Sequence, residues 1–267
     1  MRDRGPTGGA PEPPRLVVVG VDGSGAEVVR FLLGHGDDPV ALLASHGWEV
    51  RKARDVASGS SGSHVLTMTF GVSPHVGGPL EPGEPLRRDK DLPLALGETP
   101  EPYQRVAAYA VATSSRGVLM TQFSQRTNAQ GQWGLPGGGI EVDEPPEQAV
   151  VREVWEESGQ VIEVSGIAVV STTRWIGRAP SGRLEDFHAV RLVYRASCHA
   201  PTDPVVHDVG GTTESARWVP PADLGRLDVA SSWRSLMSGV VMAPDEADGP
   251  QHHEHQSDGD DPARPKT

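Results

Sequence analysis

A single cysteine, Cys198, stands among 267 residues, so no intrachain disulfide can form. A lone cysteine reads as a small buried apolar side chain, and a chain that does not rely on disulfides is expected in the cytoplasm. Long hydrophobic runs are missing too. No stretch approaches the roughly 20 apolar residues that a membrane-spanning helix needs, so no membrane partner is expected. Residues 1–14 carry Arg2 and Arg4 but no apolar run before Arg15, so a secretory signal is not expected there. Positive charge is also in short supply, with 24 Lys and Arg against 36 Asp and Glu and a net charge of −12. That balance argues against broad binding to nucleic-acid backbones. A serine-nucleophile elbow G-x-S-x-G and a zinc-protease H-E-x-x-H are both absent, which removes support for those two chemistries.

The composition that is present, 36% hydrophobic, suits a globular chain with a buried core. Five segments can be drawn. Residues 1–14, rich in Gly and Pro, are expected to be disordered. Residues 15–75 carry a periodic pattern and read as a small α+β unit whose role the sequence leaves open. Residues 76–102, with Pro79, Pro82, Pro85, Pro93, Pro100 and Pro102, read as a linker. Residues 103–241 form a larger unit expected to fold by itself. Residues 242–267 form an acidic, disordered tail; from Pro244 onward seven acidic residues face only Arg264 and Lys266. His252, His253 and His255 in that tail are expected to be solvated rather than metal-bound.

In the small unit, Arg15–Gly20 reads as a strand. Ser24, three residues before Glu27, has capping-box spacing and predicts a helix start. A second helix is expected from Asp38–Pro39. Trp48–Val56 and Val65–Val72 read as strands, the latter with alternating faces. Gly20, Gly23 and Gly25 do not have G-x-G-x-x-G spacing and no Walker lysine follows, so a plain turn is the better reading. The larger unit opens with strands at Arg105–Ala112 and Val118–Phe123 and continues into the loop Trp133-Gly-Leu-Pro-Gly-Gly-Gly139. A helix is expected over Pro146–Ser158. Strands at Val161–Arg174, Phe187–Ala196 and Ser215–Val219 follow, then short helices near 221–227 and 232–241. Strands on both sides of a central helix indicate an α+β sandwich.

The chemistry concentrates between Gly138 and Gln160. At 100° per residue, Glu153, Glu156 and Glu157 share one helix face, while Val150, Val151, Val154, Trp155 and Ser158 fall on the other. Three carboxylates on one stripe repel one another, and Glu156 and Glu157 lie at the helix end where negative charge is unfavourable. A hard divalent cation relieves both penalties and binds carboxylate and phosphate oxygens together. Arg152 is placed to pair with Glu144 and hold the glycine loop to the helix. Gly159 follows as a C-terminal stop.

This stretch resembles the Nudix box, G-x₅-E-x₇-R-E-U-x-E-E-x-G-U with U a bulky aliphatic residue. Gly138, Glu144, Arg152, Glu153, Val154, Glu156, Glu157 and Gly159 match; Gln160 replaces the last aliphatic. The segments around Trp133–Gly139 and Arg217–Pro220 are also similar to those of Nudix hydrolases. The resemblance implies an α/β/α sandwich with a mixed sheet over the larger unit. It also implies a hydrolase that cuts a diphosphate linkage in a nucleoside diphosphate derivative. Glu153, Glu156 and Glu157, with the Gly138 carbonyl, would bind Mg²⁺, Mn²⁺ being an alternative. Glu153, Glu157, Glu144 and Arg152 form the implied catalytic set, with Glu153 as general base, Glu157 next and Glu214 third. Arg126, Trp133 and Arg174 are candidate substrate contacts. Two other functions use Nudix-like scaffolds: a non-catalytic metabolite sensor, and an isomerase of the isopentenyl diphosphate type that needs a catalytic cysteine. A homodimer remains open.

Overall fold

The computed structural model describes residues 14–59, 64–77, 86–89, 92–179 and 181–241. The readings for most of segment 1–14, the tail 242–267 and its histidines, and several linker prolines lie outside the described residues.

The small unit is a four-stranded sheet of β1 (Arg15–Val21), β2 (Glu27–Leu33), β3 (Trp48–Ser58) and β4 (Val65–Pro74), in the order β2-β1-β4-β3. β1 and β4 run parallel; the other pairs are antiparallel. Helix α1 (Pro39–Ser45) begins where the sequence placed it, with the Asp38 carboxylate accepting from the Ala41 amide at 2.8 Å. The helix expected after Ser24 does not form. Asp22 Oδ1 instead accepts from the Ser24 amide (2.9 Å), the Ser24 hydroxyl (2.6 Å) and the Ala26 amide (3.1 Å), closing a turn. Gly25 adopts φ +85° within it. Glu27 then pairs with Arg30 rather than with the backbone of a cap. Val28, Val29 and Phe31 favour a pleated strand, so tertiary pairing with β1 outweighs the local capping pattern.

The second sheet has the path β12-β7-β6-β11-β10-β5. Its strands are β5 (Arg87–Arg88), β6 (Glu101–Ser114), β7 (Gly117–Phe123), β10 (Glu163–Arg178), β11 (Leu184–Ser197) and β12 (Thr213–Val219). Short strands β8 (Trp133–Gly134) and β9 (Gly137–Gly139) pair with β7 and β6. β6 runs parallel to β11, and β5 to β10, within a mixed sheet. Helix α2 spans Pro146–Ser158, as the sequence indicated, and α3 spans Ser231–Val240 after a 3₁₀ turn at Pro221–Arg226. Among the described residues, no helix is long and apolar enough to cross a membrane.

The described residues between the two sheets do more than link them. β5 adds to the edge of the second sheet, and Arg178 holds Glu98 through two hydrogen bonds of 2.9 and 2.8 Å. β6 begins at Glu101, so a boundary at 103 falls inside a strand.

One hydrophobic cluster runs through both sheets. Leu16, Val18, Leu43, Leu66, Met68 and Phe70 join Val106, Ala108, Val150, Val154, Val190 and Leu192. The four-stranded sheet and α2 therefore cover one face of the larger sheet. A second cluster, built from Met120, Leu135, Val193, Trp233 and Leu236, packs α3 on the other face. Polar contacts tie the units together as well. Thr172 donates to Asp38 at 2.5 Å, and the Gly36 amide donates to His188 Nδ1 at 3.1 Å. Burial holds His188 down at about 4, so it stays neutral.

A continuous core predicts that the two units unfold together. Phe70→Ala, a change in the small sheet, is expected to cost about 3–5 kcal/mol. It should shift a single urea transition followed by tryptophan fluorescence, although five of the six tryptophans lie beyond residue 103. Two transitions, with the tryptophan signal of the larger unit unmoved, would contradict the shared core.

Candidate active site

Helix α2 is built to present its acids. Pro146 occupies the first turn, where its missing N–H is not needed. Gly159 ends the helix at φ +67°, its amide donating to the Trp155 carbonyl at 2.7 Å. The last carbonyls are taken by the loop before β12. The amides of His207 (2.7 Å) and Asp208 (3.0 Å) donate to the Glu156 carbonyl, and that of Val205 donates to Ser158 (2.9 Å). Val150, Val154 and Ser158 are buried, as the helical spacing predicted. Val151 and Trp155, expected on the same packing face, are exposed; Trp155 stacks on His207 with centroids 4.4 Å apart. The apolar stripe is narrower than the sequence suggested because only part of α2 meets the sheet.

Gln160, where the sequence departs from an aliphatic residue, is 2% exposed. Its amide donates to the Ser158 carbonyl (3.1 Å) and the Thr202 hydroxyl (2.9 Å), and its carbonyl accepts from the Thr202 amide (3.0 Å). A buried polar group with its hydrogen bonds made carries little penalty, so the substitution is accommodated.

Arg152 organises the acids. It donates to both oxygens of Glu144 (2.8 and 2.9 Å), to the Gly139 carbonyl (3.0 Å), to Glu153 (2.9 Å) and to Glu156 (3.2 Å). Glu144 also accepts from the Glu141 amide at 3.0 Å, which closes the loop on itself. The Arg152 bond holds Glu144 below the usual carboxylate range, and the same pairing raises the already high pKa of Arg152.

Glu153 and Glu157 are in a different state. Burial raises Glu153, opposed by Arg152 and by the charge of Arg105. Its carboxylate lies against Gly138, where an added Cβ would sit 2.5 Å from the carboxyl carbon. Glu157 is 6% exposed and accepts from the Gly137 amide (2.9 Å) and the Thr213 hydroxyl (2.5 Å). Burial nevertheless pushes it up to about 7. Ser158 donates to the Val154 carbonyl and is fully buried, which suits packing and not nucleophilic attack.

This donor set fits a hard divalent cation: oxygen donors only, on one helix face, with two carboxylates whose anionic forms burial disfavours. Among the described residues, however, no three acid, histidine or cysteine side chains converge as a ready metal cluster. Arg152 draws Glu153 and Glu156 toward itself, while Thr213 and Gly137 hold Glu157. Binding a cation requires the Glu153 and Glu157 carboxylates to share oxygens with it.

The three residues expected to contact substrate do not meet in one place. Arg126 borders a cavity of about 530 Å³ with Asp208 and the exposed Glu214. Trp133 is half-buried under the Arg217 guanidinium, 4.3 Å from the ring centroid. Arg174 pairs with His188 across β10 and β11, on the face toward the small unit. There it binds both oxygens of Asp186 (2.8 and 2.5 Å) beneath Gly36.

The cleft beside the acids uses residues that the sequence reading passed over. It holds about 560 Å³ over the face of the larger sheet. Ala107, Ala189 and Thr173 line its floor, the Trp175–Phe187 stack borders one end, and Tyr109 with Trp233 borders the other. Arg105 links cleft and acids: it lines the cleft, its charge acts on Glu153, and a Cβ on Gly139 would be 3.7 Å from its guanidinium. Three arginines point into the cleft, Arg87, Arg105 and Arg191, against the single acid Asp89 among its described lining residues. In a chain of net charge −12, that is a local reversal of sign. The clue in the sequence was the alternation of Arg105, Ala107 and Tyr109 with the buried Val106 and Ala108.

The packing of Glu153 on Gly138 has a direct consequence. Gly138→Ala displaces a flexible carboxylate and not backbone, so the melting temperature should stay within about 3 °C. Stabilisation by added Mn²⁺, read as a thermal shift, should fall sharply. A variant with the full Mn²⁺ shift would contradict a metal role for Glu153.

The NUDIX domain family model matches residues 103–238. A MutT-like protein from Streptomyces ambofaciens is 41% identical over 80 residues, 29% of this chain and 50% of that protein. The nucleoside triphosphatase NudI of Klebsiella pneumoniae (strain 342) is 32% identical over 111 residues, 40% of this chain and 75% of that protein. The chain thus spans half the length of the first relative and three quarters of the second. A MutT Nudix hydrolase structure from Burkholderia pseudomallei is 29% identical with a TM-score of 0.40, covering 52% of this chain and 98% of that one. With half of its residues matched by the family model, the chain belongs to the Nudix hydrolase family.

Proposed function

We propose that the protein is a Mg²⁺-dependent hydrolase that cleaves a diphosphate linkage in a nucleoside diphosphate derivative. The observation that carries this reading is the meeting of two fields at Arg105. On one side lie Glu153 and Glu157, raised by burial; on the other lies a cleft bordered by arginines. The description of the NudI relatives as nucleoside triphosphatases supports a nucleotide as the substrate.

When bound, divalent cations neutralise phosphate charge and orient the leaving group. Glu153, Glu156 and Glu157 would hold them, with the Gly138 carbonyl as a further donor. Arg105 binds phosphate oxygens at the mouth of the cleft. Glu153, more accessible than Glu157 and raised by burial, takes the proton of the attacking water. Arg152 and Glu144 keep the glycine loop in register with α2. Cys198 is buried with its sulfur 3.9 Å from the Gln160 amide oxygen, which gives an isomerase role for that cysteine no support.

Glu153→Gln and Glu157→Gln should each lower turnover by about a hundredfold or more while the far-ultraviolet circular dichroism is retained. The assay is a panel of nucleoside triphosphates, ADP-ribose, nucleotide sugars and 5′-triphosphate RNA, with products separated by chromatography. Chelator should abolish activity and Mg²⁺ restore it. Near-normal rates in both variants, or full activity in chelator, would sink the assignment.

A further inference from the structure

The hydrogen bonds of Arg152 go to Glu144, Glu153, Glu156 and the Gly139 carbonyl, so Glu157 takes its orientation from other donors. One is the Gly137 amide of β9, on Oε2 at 2.9 Å. The other is the Thr213 hydroxyl, on Oε1 at 2.5 Å. The last torsion of a glutamate is broad, so packing alone does not fix the plane of its carboxylate. Two donors on opposite oxygens do fix it. Each oxygen of an ionised carboxylate offers two lone-pair sites, so one donor on each leaves room for a cation.

Both donors are themselves held in place. Gly137 pairs with Tyr109 of β6, and Thr213 opens β12 opposite Phe123 of β7. The loop before Thr213 is tied to its neighbours as well. The Ser124 amide donates to the Thr212 carbonyl and the Ser124 hydroxyl to the Gly211 carbonyl, each at 2.8 Å. Further back, the amides of His207 and Asp208 bind the Glu156 carbonyl at the end of α2. The Asp208 carboxylate fills the space that a side chain at Gly211 would need. Thr213 itself is 5% exposed. Its hydroxyl is therefore fixed relative to both the sheet and the helix that carries Glu157.

We propose that Thr213 is a positioning residue of the cation site, its hydroxyl holding the Glu157 carboxylate in the plane in which it serves a divalent cation. It lies 56 positions after Glu157, outside the box. The proposal rests on the metal-dependent reading above. Removing a group that hydrogen-bonds a metal-binding side chain typically costs about 10–100-fold in affinity or activity.

Two variants separate the hydroxyl from the packing of the side chain. Thr213→Val keeps the shape and removes the donor, whereas Thr213→Ser keeps the donor and removes a methyl group. Mn²⁺ binding to the full chain, followed by loss of the free-ion electron paramagnetic resonance signal, reads the site without turnover. Thr213→Val should raise the Kd for Mn²⁺ about 10–100-fold, and Thr213→Ser should recover most of that loss. In the Mg²⁺-supported assay the same pair should differ in kcat, with KM for the nucleotide changing far less. A packing role predicts the reverse order, with serine the poorer variant. That order, or equal Mn²⁺ affinity in Thr213→Val and the unaltered chain, would overturn the proposal. Should Thr213→Val not fold, the serine variant decides: retained Mn²⁺ binding supports the proposal and lost binding overturns it. Mn²⁺ affinity that follows the hydroxyl in a protein that cleaves no nucleotide would remove the hydrolase and keep the positioning role. No Mn²⁺ binding by the unaltered chain would remove both.

Discussion

Arg152 is the contact on which the rest of the site depends. Three glutamates on one face of α2, next to a fourth on the preceding loop, would repel one another and splay the loop from the helix. A single guanidinium reaches Glu144, Glu153, Glu156 and the Gly139 carbonyl, and its planar fork can serve so many acceptors at once where a lysine could not. Glu157 lies outside that reach. Buried with only Thr213 and the Gly137 amide as partners, it is left short of positive charge. The loop–helix unit is thus held firmly in shape while remaining electrostatically incomplete, and in the proposed site a cation completes it.

The same sheet that carries the box loop carries the cleft, and its two faces are covered by different parts of the chain. α3 and the Tyr109–Trp233 contact shape the cleft side. The small four-stranded sheet shares the opposite face with α2, through a common core and the contacts around Asp38, Gly36 and His188. Residues outside the family match therefore support the larger sheet from below and, through β5, extend it at the edge. The small unit is part of the architecture that sets the cleft.

Local signals carried much of this, and their limits have physical causes. The helix over Pro146–Ser158 was legible because its start, its stop and its acidic stripe agree, and the pairing of Arg152 with Glu144 follows from that spacing. The capping spacing at Ser24 misled because three β-formers follow it and a partner strand was available. Arg174 and Trp133 looked like substrate contacts because a cation or indole near a box is suggestive in one dimension. Register then turned Arg174 toward Asp186, and Arg217 covered Trp133. The cleft itself was hidden because its residues come from β5, β6, β10 and β11, and only pairing brings Arg87, Trp175, Phe187 and Arg105 onto one face. The shared core was hidden for the same reason, since a proline-rich stretch reads as a boundary whether or not its flanks pack together.

In the proposed reaction water attacks phosphorus, with carboxylates in place of a protein nucleophile. A single turnover in ¹⁸O-enriched water, with phosphate products resolved by mass spectrometry, tests it most directly. One label should appear on one phosphate product, identifying the phosphorus attacked, and no phosphorylated protein should be trapped. Unlabelled phosphate products, or a phosphoryl group recovered on the chain, would contradict it.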